Sequence, residues 1–324
     1  MRTRTVTLIS AGQGGPPASC IACGAPLGQA PSCPTCGWIA DARLGATVGG
    51  RYRIDAFLGE GGFGRVYRAT ALPHGAPVAI KFLHHQVAAR PDVRARFQRE
   101  AAVLSRLRDP GIVAAHEFGE DAGALYLVME LVDGQALADV LIDDQIVFAP
   151  AAAVRLLDQL LRILEVAHGS GVVHRDIKPE NVMLLRAHPG VIKVLDFGLA
   201  FFEGTDPSDR ITATRMTFGS PCYMSPEQCR SRDVHTPTDV YAAGVILYEL
   251  LSGAPPFLGE SAAEIIARHI HEPPPPIAQH GARRPAPPAL EALVRWALTK
   301  RAQERPTATA FRQALAQAAE ALRG

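Results

Sequence analysis

The sequence predicts an α+β protein of two lobes, a small lobe rich in β-strands and a larger lobe rich in helices, preceded by a small cysteine module. Strand-like patterns lie between residues 52 and 129, helical periodicity begins after Asp133, and four of the six cysteines stand in two close pairs near the N-terminus. A chain of 324 residues exceeds a typical single-domain core, so two lobes and a module fit its size.

Short apolar or alternating runs mark the strands of the predicted small lobe, residues 51–132. These runs are YRIDAFL, RVYRA, PVAIKFL, IVAAHEF and ALYLVM, and one helical segment from Asp92 to Leu107 interrupts them. In the predicted large lobe, residues 133–322, apolar side chains recur at helical spacing. The two lobes together form the main predicted domain, residues 51–322.

Composition and charge exclude several classes of protein. Hydrophobic residues make up 48% of the chain and charged residues 20%, which is typical of a globular protein. The formal charge of +1 gives no overall field for nucleic acid or anionic lipid. The longest apolar run, Val240 to Leu251, is too short to span a membrane, and the N-terminus lacks the apolar stretch of a signal peptide. We therefore expect a cytoplasmic protein with neither nucleic acid nor membrane as a partner.

Two CxxCG sequences within residues 19–39 predict a zinc ribbon. Each offers two thiolates from one turn, so the two together close a tetrahedral Zn²⁺ site. Redox-active disulfides are the alternative. The ribbon has no Lys or Arg between its first and last cysteine, so we expect it to bind a partner protein rather than nucleic acid. The proposed zinc ligands are Cys20, Cys23, Cys33 and Cys36.

The segments on either side of the ribbon have the composition of connecting chain. Residues 1–18 are rich in Thr, Gly and Pro without periodicity, which predicts a disordered tail. Residues 40–50 end in Gly49-Gly50 and are interpreted as a linker. The remaining cysteines, Cys222 and Cys229, are expected to be ordinary small residues rather than redox switches.

Three glycines in GxGxxG spacing, Gly59, Gly61 and Gly64, lie between two predicted strands. Without a Cβ, the backbone amides of such a loop approach phosphates closely. A dinucleotide-binding motif would require a helix directly after the glycines, whereas the strand RVYRA follows. The simpler alternative is a glycine-rich hairpin.

Lys81 and Glu100 are predicted to face each other inside the small lobe. Lys81 lies in VAIK on a predicted strand, where the alternative is a solvated edge charge. Glu100 lies on the apolar stripe of the helix that follows, three residues after Phe97. An inward carboxylate needs a partner, so Glu100 is expected to hold Lys81 against the phosphates of a nucleotide. The alternative is a surface glutamate paired with a neighbouring arginine.

The sequence HRDIKPEN, residues 174–181, and the LDFG that begins at Leu195 contain groups suited to phosphoryl transfer. Asn181 and Asp196 offer two hard oxygen ligands for Mg²⁺. Asp176 is predicted to orient an attacking hydroxyl and accept its proton, and Lys178 to neutralise the transferred phosphoryl group.

Taken together, the glycine loop, VAIK, HRDIKPEN and DFG resemble the motif set of the eukaryotic-like Ser/Thr protein kinases of bacteria over residues 52–320. This resemblance implies the protein kinase fold, ATP with Mg²⁺ or Mn²⁺ as cofactors, and proteins as substrates. The Asp-x-Lys pair is the Ser/Thr form rather than the tyrosine form. The alternative is a pseudokinase that binds nucleotide without transferring phosphate. The presence of every charged and polar residue of the motifs argues against it.

The resemblance also assigns residues to the adenine site. Met129 resembles the gatekeeper, for which a core methionine is the alternative reading, and backbone groups of Glu130 and Val132 would meet adenine at the hinge between the lobes. The other residues expected to enclose ATP, besides the glycines, are Leu58, Val66 and Ala79.

Thr212 and Thr214 match the phosphorylation positions of the family's activation segment, here Asp196 to Glu227, and Arg175 would pair with the added phosphate. Thr217 is a less favoured acceptor, and a merely polar loop is the alternative.

Several further residues are expected to support the structure. Glu227 resembles the partner of a late arginine, Arg305, and Asp239 resembles the residue that braces the catalytic loop. His174 is interpreted as a packed core histidine rather than a general base. Ser220 resembles the hydroxyl residue that contacts the catalytic loop.

Overall fold

The computed structural model describes residues 43–61, 64–84, 107–142, 146–197, 220–280 and 286–322. Within these ranges the chain forms a β-rich small lobe and a mainly helical large lobe. The predicted zinc ribbon, the N-terminal tail and nearly all of the predicted helix from Asp92 to Leu107 lie outside the described residues.

The small lobe is a six-stranded antiparallel sheet with the strand order β1-β2-β3-β4-β6-β5. Its strands are β1 (Thr47–Val48), β2 (Tyr52–Gly61), β3 (Gly64–Ala71), β4 (Ala76–Leu83), β5 (Ala115–Asp121) and β6 (Ala124–Glu130).

Successive side chains of β4 point to opposite faces of this sheet, and both faces are covered. Val78, Ile80 and Phe82 belong to one buried cluster, whereas Ala79 and Leu83 belong to another on the opposite face. This explains why the strand reads as a continuous apolar run. Lys81 occupies the same face as Ala79 and Leu83 by the two-residue period, which is the face that turns towards the second lobe.

The segment interpreted as a linker, residues 40–50, contains a short strand in the part that the structure describes. β1 pairs with β2, and Val48 is only 3% exposed. Gly49 and Gly50 have φ values of 55° and 67°, and this left-handed turn folds β1 back onto β2.

The large lobe contains seven described helices and a three-stranded sheet, β7-β8-β9. The helices are α1 (Leu137–Ile142), α2 (Pro150–Gly169), α3 (Pro226–Cys229), α4 (Pro237–Ser252), α5 (Ala262–His271), α6 (Pro288–Ala297) and α7 (Ala308–Ala321). The strands are β7 (Gly134–Ala136), β8 (Val182–Leu185) and β9 (Ile192–Val194).

Helix α4 forms the centre of the large lobe. Every residue from Thr238 to Ser252 is buried, so the apolar run noted in the sequence is a core helix covered on all sides. Among the described residues, no helix has the length and apolar character needed to cross a membrane.

The predicted strand IVAAHEF begins later in the structure than in the sequence interpretation. β5 starts at Ala115, while Ile112 forms a parallel bridge with Val194 of β9. The residues before β5 therefore join the small lobe to the large lobe.

Candidate active site

Lys81 and Asp196 meet in the cleft between the lobes. Lys81 Nζ donates a hydrogen bond to Asp196 Oδ2 at 2.7 Å, and the Lys81 side chain is only 4% exposed. Burial alone would raise the pKa of Asp196, but the charge of Lys81 and its hydrogen bond outweigh burial and lower that pKa below its ordinary value. Asp196 is therefore an anion held beside a cation. Glu100, the predicted partner of Lys81, lies outside the described residues.

The backbone places Asp196 in an unusual conformation. Its φ is 57°, and Arg175 of the catalytic loop has a φ of 68°, both in the left-handed region that non-glycine residues rarely adopt. Such conformations cost about 1–3 kcal/mol each and persist where the surroundings fix them. Here the buried ring of His174 lies 4.5 Å from the ring of Phe197, and its Nε2 lies 2.7 Å from the carbonyl oxygen of Leu195. The core role predicted for His174 is confirmed.

Asp239, at the start of α4, holds the backbone of the catalytic loop, residues 174–181. The backbone N–H of His174 donates to its Oδ2 at 2.8 Å, and the backbone N–H of Arg175 donates to its Oδ1 at 2.7 Å. The predicted bracing role is confirmed. Sequence reasoning missed His168, whose Nε2 lies 2.8 Å from the same Oδ2. His168 lies in the last turn of the apolar helix α2, and in the sequence this position indicates only a core residue.

The carboxylate of Asp176 is oriented by two side chains of its own loop. Lys178 Nζ lies 2.8 Å from Asp176 Oδ2, and Asn181 Nδ2 donates to the same oxygen at 3.0 Å and to the Asp176 carbonyl at 2.7 Å. Burial would lower the pKa of Lys178, but the neighbouring Asp176 raises it on balance, so the amine stays charged. A fixed carboxylate beside a permanent cation can receive a proton while negative charge develops nearby.

Asn181 and Asp196 fit the role of metal ligands. Because Asn181 turns its NH₂ group to Asp176, its side-chain oxygen faces away from that residue. The backbone N–H of Leu195 donates to the Asn181 carbonyl at 2.8 Å, which ties the two candidate ligands together. One amide and one carboxylate oxygen suit Mg²⁺, which completes its shell with phosphate oxygens and water. In the described ranges, no group of three or more His, Cys, Asp and Glu side chains is arranged to hold a metal by itself.

The glycine-rich loop joins β2 and β3. Gly61 pairs with Gly64, and the ion pair between Glu60 and Arg65 at 3.1 Å closes the hairpin just behind them. A Cβ on Gly64 would lie 1.8 Å from the carbonyl oxygen of Phe82, whereas a Cβ on Gly61 would meet nothing within 4 Å. The close approach of β4 thus requires a glycine at position 64, whereas the space next to Gly61 is open. The strand that follows excludes the dinucleotide-binding alternative.

Most of the predicted adenine residues lie on neighbouring strands, and Val132 lies just after β6. Ala79 pairs with Met129 across β4 and β6, and Val66 packs against the same apolar cluster. Leu58 and Val132 are half-buried. A cavity of about 20 Å³, enough for one water molecule, lies between the lobes. Its lining residues are Leu107, Ile112, Val113, Ala115, Leu127, Met129, Asp196 and Phe197.

The described end of the activation segment is fixed by a buried ion pair. Arg305 donates to both carboxylate oxygens of Glu227 at 2.7 Å, and Thr238 Oγ1 donates to one of them at 2.7 Å. This confirms the predicted pairing. Gln228, which sequence reasoning missed, donates from its Nε2 to the Arg175 carbonyl at 2.6 Å. Thr212, Thr214, Thr217 and the side chain of Ser220 lie outside the described residues.

Comparisons with known proteins agree with this site. The model of the protein kinase domain family matches residues 52–316. The chain is 40% identical over 280 residues to the serine/threonine-protein kinase pkn3 of Myxococcus xanthus, covering 85% of this chain and 51% of that protein. It is 36% identical over 263 residues to the serine/threonine-protein kinase PknA of Mycobacterium tuberculosis, covering 80% of this chain and 58% of that protein.

A solved structure shows the same fold. The kinase domain of Mycobacterium tuberculosis PknI superposes with a TM-score of 0.68 at 28% identity, covering 86% of this chain and 99% of that domain. The chain belongs to the protein kinase domain family. It spans about half to three fifths of the length of the two relatives named above.

Proposed function

We propose that this chain is a Ser/Thr protein kinase that transfers the γ-phosphoryl group of ATP to Ser and Thr hydroxyls of proteins. The observation that carries this proposal is the Lys81–Asp196 contact in the cleft, with Asp176 oriented by Lys178 and Asn181 on the same side of the large lobe. The relatives named as serine/threonine-protein kinases support the same class of substrate.

Each residue has a separate task in this proposal. Lys81 would contact the α- and β-phosphates, and Asn181 and Asp196 would hold the Mg²⁺ that neutralises the charge of the triphosphate. Asp176 accepts a hydrogen bond from the substrate hydroxyl and takes its proton as the oxygen attacks the γ-phosphorus, while the bond between the γ-phosphorus and the β–γ bridging oxygen breaks and ADP leaves with that oxygen. Lys178, kept protonated by Asp176, offsets the negative charge of the transferred group.

The pseudokinase alternative would need no proton acceptor. A scaffold that only bound nucleotide would not require the carboxylate of Asp176 to be held by two partners at 2.8 and 3.0 Å. The buried carboxylate of Asp239, which accepts from the backbone N–H groups of the two residues before Asp176, favours an active enzyme in the same way.

The proposal is tested with purified protein, labelled ATP and Mg²⁺, followed by phosphosite mapping. We expect label on Ser or Thr in the wild type and none with Asp176→Asn. Asp158→Asn, which removes an exposed carboxylate on α2, serves as the matched control and should label as the wild type does. Equal labelling with Asp176→Asn would contradict the proposal.

We propose that phosphorylation at Thr212 or Thr214 raises the activity. The reason is Arg175, which neighbours the catalytic aspartate and whose carbonyl is tied to the end of the activation segment by Gln228. A phosphate placed there would gain a cationic partner. Mapped phosphosites that omit both threonines would contradict this part alone.

We also propose that the cysteine pairs bind one Zn²⁺ and that the ribbon serves a partner protein in the cytoplasm. The support is the repeated CxxCG spacing and the low content of Lys and Arg. Arg43, the first described residue, stacks its guanidinium 4.5 Å from the centre of the Phe82 ring, so the described chain begins against the small lobe. Metal analysis should find one zinc per chain, lost with Cys23→Ser and kept with Cys222→Ser.

A further inference from the structure

An ion pair joins the two lobes beside the hinge, residues 130–133. Lys193 Nζ lies 2.5 and 2.7 Å from the two carboxylate oxygens of Glu130. The side chains of Lys193 and Glu130 are 16% and 32% exposed. The backbone N–H of Ala114 approaches the same carboxylate at 3.4 Å. The Glu130 carboxylate thus collects contacts from both lobes at a partly buried point.

The two partners belong to segments that lead to different parts of the proposed nucleotide site. Glu130 is the last residue of β6 and the first of the hinge, whose backbone is expected to meet adenine. Lys193 is the middle residue of β9 and precedes Asp196, the proposed metal ligand, by three positions. The ion pair therefore connects the hinge, which is expected to contact adenine, to the strand that leads to the proposed metal ligand Asp196. Neither side chain belongs to the glycine loop, VAIK, HRDIKPEN or DFG.

Backbone contacts make β9 a suitable element to transmit this connection. The N–H of Val113 donates to the Val194 carbonyl at 3.1 Å, and the N–H of Val194 donates to the Gly111 carbonyl at 2.7 Å. One residue later, the N–H of Leu195 donates to the Asn181 carbonyl at 2.8 Å. A shift of β9 would consequently move both proposed metal ligands relative to the hinge.

A second ion pair near the hinge provides a comparison within the same chain. Arg186 Nη1 lies 2.9 Å from Asp133 Oδ1, but these side chains are 55% and 63% exposed. Exposed pairs are screened by water and contribute little. Removing one partner of a less exposed pair leaves a charge without compensation, which favours a rearrangement of the surrounding backbone. The two pairs therefore differ in their expected influence although both flank the hinge.

We propose that Lys193 and Glu130 are positioning residues that fix the hinge relative to Asn181 and Asp196 and so set the affinity for ATP with Mg²⁺. This inference rests on the proposed function in one respect, namely that the chain binds ATP with Mg²⁺. It predicts a specific pattern: ligands that touch only the hinge are insensitive to the ion pair, and ligands that touch both ends depend on it.

The test compares the affinities of adenosine and of ATP with Mg²⁺ in Lys193→Met, Glu130→Gln and Lys193→Arg. For Lys193→Met and Glu130→Gln we expect the Kd and KM of ATP with Mg²⁺ to rise about tenfold, which corresponds to about 1.4 kcal/mol. The Kd of adenosine and the KM of a protein substrate should stay within about twofold of the wild type. Lys193→Arg keeps the charge and should restore most of the ATP affinity.

Arg186→Met is the matched control, because it removes the exposed ion pair on the other end of the hinge and should leave both affinities unchanged. If Lys193→Met does not fold, Glu130→Gln decides, since it keeps the shape of the side chain and removes only its charge. Unchanged ATP affinity in a folded Glu130→Gln variant, or an equal loss for adenosine and ATP, would overturn the inference. Binding is measured directly, so a wild type that binds ATP without transferring phosphate would contradict the proposed function and not this inference.

Discussion

Lys81 and Asp196 form a direct hydrogen-bonded ion pair at 2.7 Å although 115 positions separate them in the chain. Lys81 comes from the third residue from the end of β4 and Asp196 from the segment directly after β9, so the contact exists only when the two lobes are assembled. This single contact places an ammonium and a carboxylate where a triphosphate and its metal would lie.

Lys81→Met should remove the ammonium from the proposed phosphate site and leave Asp196 without that partner. We expect kcat/KM for phosphoryl transfer to fall by roughly 10²–10³, the range for loss of one preorganised electrostatic group. Steady-state kinetics with labelled ATP measure this. Arg53→Met, which breaks an exposed ion pair on β2, is the control and should retain wild-type activity. Wild-type kinetics for Lys81→Met would exclude the proposed role.

Gly61→Ala and Gly64→Ala should separate a nucleotide effect from a folding effect. A Cβ at position 64 would lie 1.8 Å from the Phe82 carbonyl oxygen, so we expect Gly64→Ala to lower the thermal unfolding midpoint by several degrees. At position 61 the Cβ meets nothing within 4 Å of the protein, so stability should change little and the KM for ATP should rise. A stability loss of equal size in both variants would contradict this distinction.

Arg305→Met should destabilise the large lobe because it leaves Glu227 as an unpaired, largely buried carboxylate. The expected loss in free energy of unfolding is about 3–5 kcal/mol, measured by urea denaturation. Adding Glu227→Gln to this variant should recover part of the loss. Arg301→Met breaks an ion pair whose side chains are 74% and 49% exposed, and should change stability by no more than about 0.5 kcal/mol. A small effect of Arg305→Met would show that the buried pair is dispensable.

Glu249 should make stability depend on pH. Its side chain is buried in α4, and burial raises its pKa to about 7 from an ordinary 4.5, although the Tyr223 hydroxyl donates to it at 2.7 Å. Between these two values the folded state binds a proton that the unfolded state has released, so rising pH destabilises the fold. The contribution lost across this window is about 3 kcal/mol.

Glu249→Gln removes this titration and keeps an oxygen that accepts from Tyr223. The free energy of unfolding of the wild type minus that of Glu249→Gln should therefore fall as pH rises from about 4.5 to about 8. The comparison cancels the titration of groups that do not interact with Glu249, including His269, whose pKa burial lowers to about 3. A difference that is constant across this range would contradict the expected protonation of Glu249.

Local motifs made much of the site predictable. Asp176, Lys178 and Asn181 lie within one short loop, so their spacing already limits how far apart they can be, and Glu227, Arg305 and Asp239 followed from the resemblance. The contacts that sequence reasoning missed join residues that are distant in the chain, and each includes at least one residue outside the motifs. Lys193 and Glu130 are 63 positions apart, and His168 and Asp239 are 71 positions apart.

The short strand within the segment interpreted as a linker has a similar physical origin. Gly49-Gly50 was interpreted by composition as flexible, because glycine permits many conformations. The neighbouring Thr47 and Val48 are suited to an extended strand, and the buried side chain of Val48 shows that tertiary packing selected one conformation. Composition alone does not show that the edge of β2 is available to pair with residues 47–48.

The most direct measurement is the rate of phosphoryl transfer from ATP to a Ser- and Thr-containing protein, with Mg²⁺ or with a chelator, by the wild type and by Asp176→Asn at equal nucleotide occupancy. The account predicts transfer only by the wild type with Mg²⁺, and nucleotide binding by Asp176→Asn without transfer. Transfer by Asp176→Asn at the wild-type rate, or no binding of ATP with Mg²⁺ by either protein, would contradict it.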